Sequence, residues 1–278
     1  MPDTAQSMKS MKLYDQVERI HNELRALGIA DDAPLTAADL EPFDSYHYLG
    51  AEAVESAATA LRLTRDSRLL DVGSGIGGSA RHLAAKIGCH VTALELQTDL
   101  DALSAELNAR CGLAGRIETV CGDILDGPPD GRAFDALMSL LVFIHIGDRQ
   151  RLLAQCHAAL KPGGRIYIED FHLLRAPDAD QQCDLSVKVR CGGPIPAAAT
   201  YKAQMAEAGF ADIVFEDMTG RWSDFCRERL RAFRANHAGN VEKHGQAVTD
   251  GLEDFFRVIV GLFEDGVLGG LRISARRP

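Results

Sequence analysis

The stretch Arg68-Leu69-Leu70-Asp71-Val72-Gly73-Ser74-Gly75-Ile76-Gly77-Gly78-Ser79 constrains this chain more than any other. It reads as a short apolar strand, a glycine-rich turn and a helix beginning near Ser79. Glycines at 73, 75, 77 and 78 can adopt backbone angles that most residues avoid, and without side chains they let a ligand approach the backbone. The helix that follows presents unpaired N–H groups at its start. A strand–glycine loop–helix unit of this kind can cradle a nucleotide cofactor. Gly73, Gly75 and Gly78 satisfy GxGxxG, but a plain structural turn satisfies it too, so this stretch alone leaves both readings open.

The chain has 278 residues, enough for one large α/β domain or a domain with a small appendage. Its formal net charge of -10 disfavours DNA, RNA and other polyanions as partners. The N-terminus lacks a basic stretch followed by an apolar core, so no secretory signal is expected. The longest apolar run, Leu137 to Ile144, is too short to span a bilayer, and no membrane partner is expected. Seven cysteines without CxxC spacing read as reduced thiols in a cytoplasmic protein, each a small buried hydrophobe by default. Cys183 and Cys191 lie in the region expected to meet substrate. A homodimer stays open.

Residues 1–10 read as disordered. Leu13, Val17, Ile20, Leu24 and Leu27 recur at helical spacing, and Gly28 is a natural stop. Thr36 to Asp39 resembles a capping box with Asp in place of Glu or Gln. The aromatic segment Phe43–Gly50 precedes a helix over 51–61 and reads either as a lid or as packing for the N-terminal helices. Strands are expected at 68–72, 90–94, 117–121, 136–141 and 165–169, with helices at 79–87, 98–111 and 149–160 between them. Strand–helix alternation predicts a parallel sheet covered on both faces, with ligands at the ends of the strands. Residues 171–200 break the rhythm with loop signals at Ala176-Pro177-Asp178 and Gly192-Gly193-Pro194-Ile195-Pro196, and read as a substrate lid. Helices at 200–209, 223–237 and 249–263 and strands at 213–217 and 268–275 complete the chain. The domain reading is a helical N-terminal cap over 1–62 and a cofactor domain over 63–278, with the insertion at about 171–200.

Glu95 ends the second strand, where a carboxylate can accept the hydrogens of both ribose hydroxyls of a nucleotide on the glycine loop. Gly122-Asp123-Ile124 follows the third strand on the same edge, where Asp123 can accept from an adenine amino group. The run Leu69 to Gly77, with Asp71 before the first glycine, resembles the first motif of class I S-adenosylmethionine-dependent methyltransferases. Glu95, Gly122-Asp123, Phe134-Asp135-Ala136-Leu137 and Leu160-Lys161-Pro162-Gly163-Gly164 resemble its later motifs in order, over about residues 43–171.

The resemblance implies a Rossmann-like, doubly wound sheet of seven strands, mostly parallel with the last antiparallel, under a helical N-terminal lid. It implies S-adenosylmethionine as cofactor. Asp71, Gly73, Ser74 and Gly75 would meet its methionine and ribose parts, Glu95 with Leu96 its ribose, Asp123 and Ile124 its adenine, and Leu140 its methionine end. It implies methyl transfer to a small-molecule acceptor. A base is needed only if the acceptor arrives protonated, and His145, just after the fourth strand, is the leading residue for that task.

A narrower similarity, carried by Tyr46-His47-Tyr48-Leu49-Gly50-Ala51-Glu52-Ala53 and Ile144-His145, is to phosphoethanolamine and glycine/sarcosine/dimethylglycine N-methyltransferases. By that similarity the histidine pairs with an N-terminal tyrosine, here matched by Tyr14, and the acceptor atom is an amine nitrogen. The phosphobase enzymes grip phosphate with a tyrosine after the fifth strand and tyrosines in the insertion. Here Phe171 stands at the first position, and Val187–Gly192 retains Arg190 without a tyrosine, a departure from phosphate gripping. Arg190 and Arg257 are the candidates for pairing with a carboxylate or phosphate. Tyr46, Tyr48, Phe171 and Trp222 can wall a cationic product, with His172 beside them. Glu169-Asp170 reads as solvated or hydrogen-bonded to neighbouring loops rather than as a metal site. Carbon, oxygen or sulfur acceptors, a nicotinamide-dependent oxidoreductase and a non-catalytic binding module are the competing readings.

Overall fold

The computed structural model describes residues 17–42 and 47–278. The expectation for residues 1–10, Tyr14, Tyr46 and the first turn of the helix begun at Leu13 lie outside the described residues. Among the described residues three helices precede the sheet: α1 (Glu18–Ala26), α2 (Ala37–Leu40) and α3 (Gly50–Leu61). Thr36 and Asp39 form the expected capping box, each side chain accepting the other's backbone N–H. The alternating part runs β1 (Arg68–Val72), α4 (Gly78–Lys86), β2 (His90–Glu95), α5 (Thr98–Arg110), β3 (Ile117–Cys121), β4 (Phe134–Leu140), α6 (Arg149–Ala159) and β5 (Leu160–Leu173). The remainder is α7 (Ala179–Val187), α8 (Ala198–Glu207), β6 (Ala211–Asp217), α9 (Thr219–Ala235), α10 (His237–His244), α11 (Gln246–Glu264) and β7 (Leu268–Arg276).

The strands form one sheet in the order β3-β2-β1-β4-β5-β7-β6. β1 to β5 pair in parallel, and β7 runs antiparallel to both neighbours, so the last strand is the reversed one. Period-two geometry sends Leu70 and Val72 to one face with Leu152, Cys156, Tyr201 and Met205, and Leu69 to the other with Val54, Ala57 and Leu83. Both faces of the central strands are therefore dry, as their near-continuous apolar runs require. The first helix is amphipathic, and its Ile20 and Leu24 pack on Leu103, Leu107 and Ile76 of the glycine loop.

Two motif residues serve the sheet at the end away from the glycine loop. Asp135 accepts from the Arg68 backbone N–H at 2.9 Å and from Lys161 Nζ at 2.6 Å, aligning the starts of β1, β4 and β5. The Lys161–Gly164 turn is an irregularity inside β5: pairing with β4 resumes at Arg165, and Gly163 N–H donates to Arg277. At its other end β5 continues to Leu173 because β7 pairs with it up to Leu268. The insertion holds a helix, α7, opened by a capping box between Asp178 and Gln181, and α10 fills the link between the last two long helices.

Steric contacts give a direct test of the α9–sheet packing. A Cβ on Gly270 of β7 would lie 2.3 Å from the Trp222 ring, whereas one on Gly261 of α11 meets nothing within 4 Å. Gly270→Ala is expected to destabilise by about 2 kcal/mol through overpacking. Gly261→Ala is expected to stabilise by up to about 1 kcal/mol through helix propensity. Urea unfolding of both variants checks the opposite signs.

Candidate active site

The loops after β1, β2, β3 and β4 and the insertion after β5 enclose a cavity of about 770 Å³. All nine residues expected to meet the cofactor line it: Asp71, Gly73, Ser74, Gly75, Glu95, Leu96, Asp123, Ile124 and Leu140. His145 and Arg190 line it as well. Gly73 has φ +72, and a Cβ there would lie 2.4 Å from Val142, so this turn needs glycine on two grounds.

The backbone donors of the loop are largely satisfied within the protein. Gly73 and Ser74 N–H donate to the Leu94 carbonyl at 2.8 and 3.1 Å. Gly75 N–H donates to Glu95 Oε2 at 2.8 Å, and Gln97 N–H to Oε1 at 3.0 Å. Arg81, wholly buried beneath the loop, donates to the Ile76 carbonyl at 2.7 Å and to Asn108 at 3.1 Å. The loop is thus braced, and its donors at 73–75 face the protein rather than an anion.

Electrostatics points the same way. Burial, reinforced by the charge of Glu95, raises the Asp71 carboxyl from 3.8 to about 7, and burial raises Glu95 as well. Two desolvated carboxyls in one cavity gain from a positively charged group placed beside them. The Gln97 side-chain amide and Ser74 Oγ are buried in the cavity wall without a hydrogen-bond partner among the described residues, which leaves them for a polar ligand.

His145, also in the cavity wall, ends the single 3₁₀ turn Phe143–His145. Its Nδ1 lies 3.0 Å from the Arg190 carbonyl, which only accepts, so Nδ1 carries the proton and Nε2 the lone pair. Burial lowers its pKa and keeps the ring neutral. His47, also in the cavity wall, follows the same logic: Nδ1–H donates to Tyr48 O at 3.1 Å and Nε2 accepts from Ser79 Oγ at 3.2 Å. The adjacent aromatics had drawn attention to this segment, while the histidine itself had no distinguishing pattern.

The residues expected to hold the acceptor do not converge on this cavity as a set. Tyr48, Phe171 and Trp222 are buried in an aromatic cluster, with Tyr48–Trp222 ring centroids 5.2 Å apart and Phe171–Trp222 5.9 Å apart, and none of the three lines the cavity. Arg229 stacks over Tyr48 with its Cζ at 4.9 Å, so an internal cation already faces that ring. His172 packs against β7 near Gly269 rather than in the cavity wall. Arg257 is exposed and paired with Asp254 at 2.7 Å. Glu169 and Asp170 are fully buried, not solvated: Tyr167 and Arg272 donate to the first, Arg149 and Tyr201 to the second. Cys183 is exposed, and the Cys191 thiol in the cavity wall is pushed up to about 12 by burial, which keeps it protonated. Among the described residues no group of three His, Cys, Asp or Glu can hold a metal ion.

Residues 70–168 match the family described as a methyltransferase domain. That match gives residues 70–168 the character of a methyltransferase domain within a seven-stranded Rossmann-like sheet. It is similar to a glycine/sarcosine/dimethylglycine N-methyltransferase of Actinopolyspora halophila, with 31% identity over 60% of this chain and 29% of that protein. It is also similar to a sarcosine/dimethylglycine N-methyltransferase of Halorhodospira halochloris, with 33% identity over 57% of this chain and 56% of the relative. The chain therefore spans between about a third and just over half of the length of these relatives. The solved structure of phosphoethanolamine N-methyltransferase 2 of Haemonchus contortus, in complex with phosphomonomethylethanolamine and S-adenosylhomocysteine, superposes on the fold with a TM-score of 0.82. It has 19% identity and covers 100% of this chain and 61% of that one.

Asp71 gives the site a pH signature. Its folded pKa, about 7, lies above the ordinary 3.8, so the unfolded chain loses that proton first as pH rises. Its contribution is intact below the unfolded value and is lost as pH climbs to about 7. The stability gained by Asp71→Asn in the ligand-free protein should therefore widen by up to about 4 kcal/mol between about pH 4 and about pH 8. Denaturant unfolding across that range checks this, and a pH-independent difference contradicts it.

Proposed function

We propose that this chain transfers a methyl group from S-adenosylmethionine to a small polar molecule at an amine nitrogen. The observation that carries the reading is the single cavity in which Asp71 and Glu95 lie on the glycine-loop side and neutral His145 lies near the acceptor side. A sulfonium cofactor suits two desolvated carboxyls, whereas a dinucleotide's pyrophosphate does not. The N-methyltransferases among the relatives support the choice of nitrogen.

In this reading Glu95 holds the ribose hydroxyls, with Leu96 beside it, and Asp123 and Ile124 flank the adenine. Gly73 to Gly75 and Leu140 border the methionine part, and Asp71 offsets its positive charge. The cofactor supplies a methyl group already activated on a positively charged sulfur. The protein's tasks are then to position the acceptor, to exclude water and to accept a proton. Amines arrive mostly protonated near neutral pH, and the Nε2 lone pair of His145 is the acceptor for that proton. The Arg190 guanidinium, in the cavity wall, can pair with an acidic group of the acceptor. The segment 1–62, which carries α1 to α3 among its described residues, acts as the cap and the insertion at about 171–200 as the substrate-facing lid. Seven cysteines with no disulfide among the described residues support a cytoplasmic setting.

Labelled-methyl transfer across small amines, amino acids, thiols and phenols tests the reaction: label on an amine supports it, and label confined to thiols or phenols overturns the choice of nitrogen. Glu95→Ala is expected to weaken S-adenosylhomocysteine binding by about 1–3 kcal/mol, measured by calorimetry. His145→Ala is expected to lower turnover on the order of a hundredfold while cofactor affinity stays within a few-fold.

A further inference from the structure

The turn that carries His145 is anchored at each of its three residues by a group outside it. The Phe143 carbonyl accepts from Arg149 Nη1 at 3.2 Å. The Ile144 carbonyl accepts from Gly192 N–H at 2.9 Å. His145 Nδ1–H donates to the Arg190 carbonyl at 3.0 Å. Two of these anchors come from the insertion, which lies so close that a Cβ on Gly192 would sit 2.1 Å from the His145 carbonyl oxygen.

The third anchor is a buried ionic cluster. Arg149 Nη2 donates to Asp170 Oδ2 at 3.2 Å, and the Tyr201 hydroxyl donates to the same oxygen at 3.0 Å. Asp170 Oδ1 accepts from Phe171 N–H at 2.9 Å, and the Arg149 guanidinium lies 4.3 Å from the Tyr201 ring centroid. Asp170 and Tyr201 are wholly buried and Arg149 nearly so. Desolvation offsets most of what such a pair contributes to stability, and apolar groups of the same shape serve a core as well. A guanidinium differs from them in its fixed fork, which can hold a carbonyl and a carboxylate at once.

Backbone strain marks the same place. Leu141, just before the turn, has φ +59, and Arg190, opposite it in the insertion, has φ +60. Each holds a non-glycine residue in the left-handed region at a cost of about 1 kcal/mol or more. Such strain persists only where surrounding contacts fix it.

We infer that Arg149, clamped by Asp170 and Tyr201, is a positioning residue that sets the His145 turn against the insertion and thereby governs turnover. The inference rests on the reading of His145 as the proton acceptor. Lysine at 149 keeps the charge beside Asp170 but cannot span both acceptors with a fork. Phenylalanine at 201 keeps the stacked ring and removes one donor to Asp170.

The test is a double-mutant cycle on labelled-methyl transfer, with S-adenosylhomocysteine affinity measured alongside. Arg149→Lys should lower kcat by about tenfold and leave that affinity within about twofold, and Tyr201→Phe should do the same to a lesser degree. In a His145→Ala background neither substitution should lower kcat further, because the group they position is gone. Equal losses in both backgrounds, or no loss in the parent, overturn the inference. Should Arg149→Lys fail to fold, the Tyr201→Phe cycle decides by the same criterion. If His145→Ala alone leaves turnover unchanged, the reading of His145 falls and the inference with it. An additive cycle on an impaired His145→Ala enzyme overturns the positioning role alone.

Discussion

One buried carboxylate ties the cofactor half of this molecule together. Glu95 ends β2 and accepts N–H bonds from Gly75 and Gln97, so the end of one strand fixes the loop leaving its neighbour. The loop can hold that shape because glycine at 73 tolerates a positive φ and leaves room for Val142, and because Arg81 braces it from below. With the loop's donors turned inward, the cavity presents an acidic, largely apolar surface. Such a surface suits a positively charged ligand group beside Asp71 and Glu95.

The part of the cavity wall around His145 obeys a different constraint. Its key turn is short, strained at Leu141 and held by contacts from α6, β5 and the insertion rather than by its own regular structure. The glycines at 147 and 192 are steric requirements there, since a Cβ on either would press on a backbone oxygen of the facing segment at 2.4 Å or less. The insertion is therefore docked by backbone contact, and it reaches the cavity wall from Arg190 to Pro194.

The strands and the cofactor side were legible in the sequence because both are written locally. An apolar run, a glycine turn and a strand-end acid each carry their meaning within a few residues, and parallel topology then brings the strand ends to one edge. The acceptor side was less legible, since its members are set by packing between segments far apart. Tyr48, Phe171 and Trp222 have the chemistry of a cation-binding wall, yet Arg229 and neighbouring rings draw them into a sealed cluster. As adjacent acids Glu169 and Asp170 read as solvated or hydrogen-bonded to neighbouring loops, but successive strand residues point to opposite faces, where partly buried Arg272 and buried Arg149 donate to them. The helix in the insertion did have a local signal, Asp178 with Gln181 three residues on, which the surrounding glycines and prolines obscured. His47 and Arg81 had none, because a single polar residue acquires its role only from what folds against it.

The central claim is that the acidic glycine-loop cavity selects a sulfonium-type cofactor over a dinucleotide. Isothermal titration of the protein with S-adenosylhomocysteine and, separately, with NAD tests it most directly. Submicromolar binding of S-adenosylhomocysteine without detectable binding of NAD is the predicted result. Binding of NAD without binding of S-adenosylhomocysteine would contradict the account.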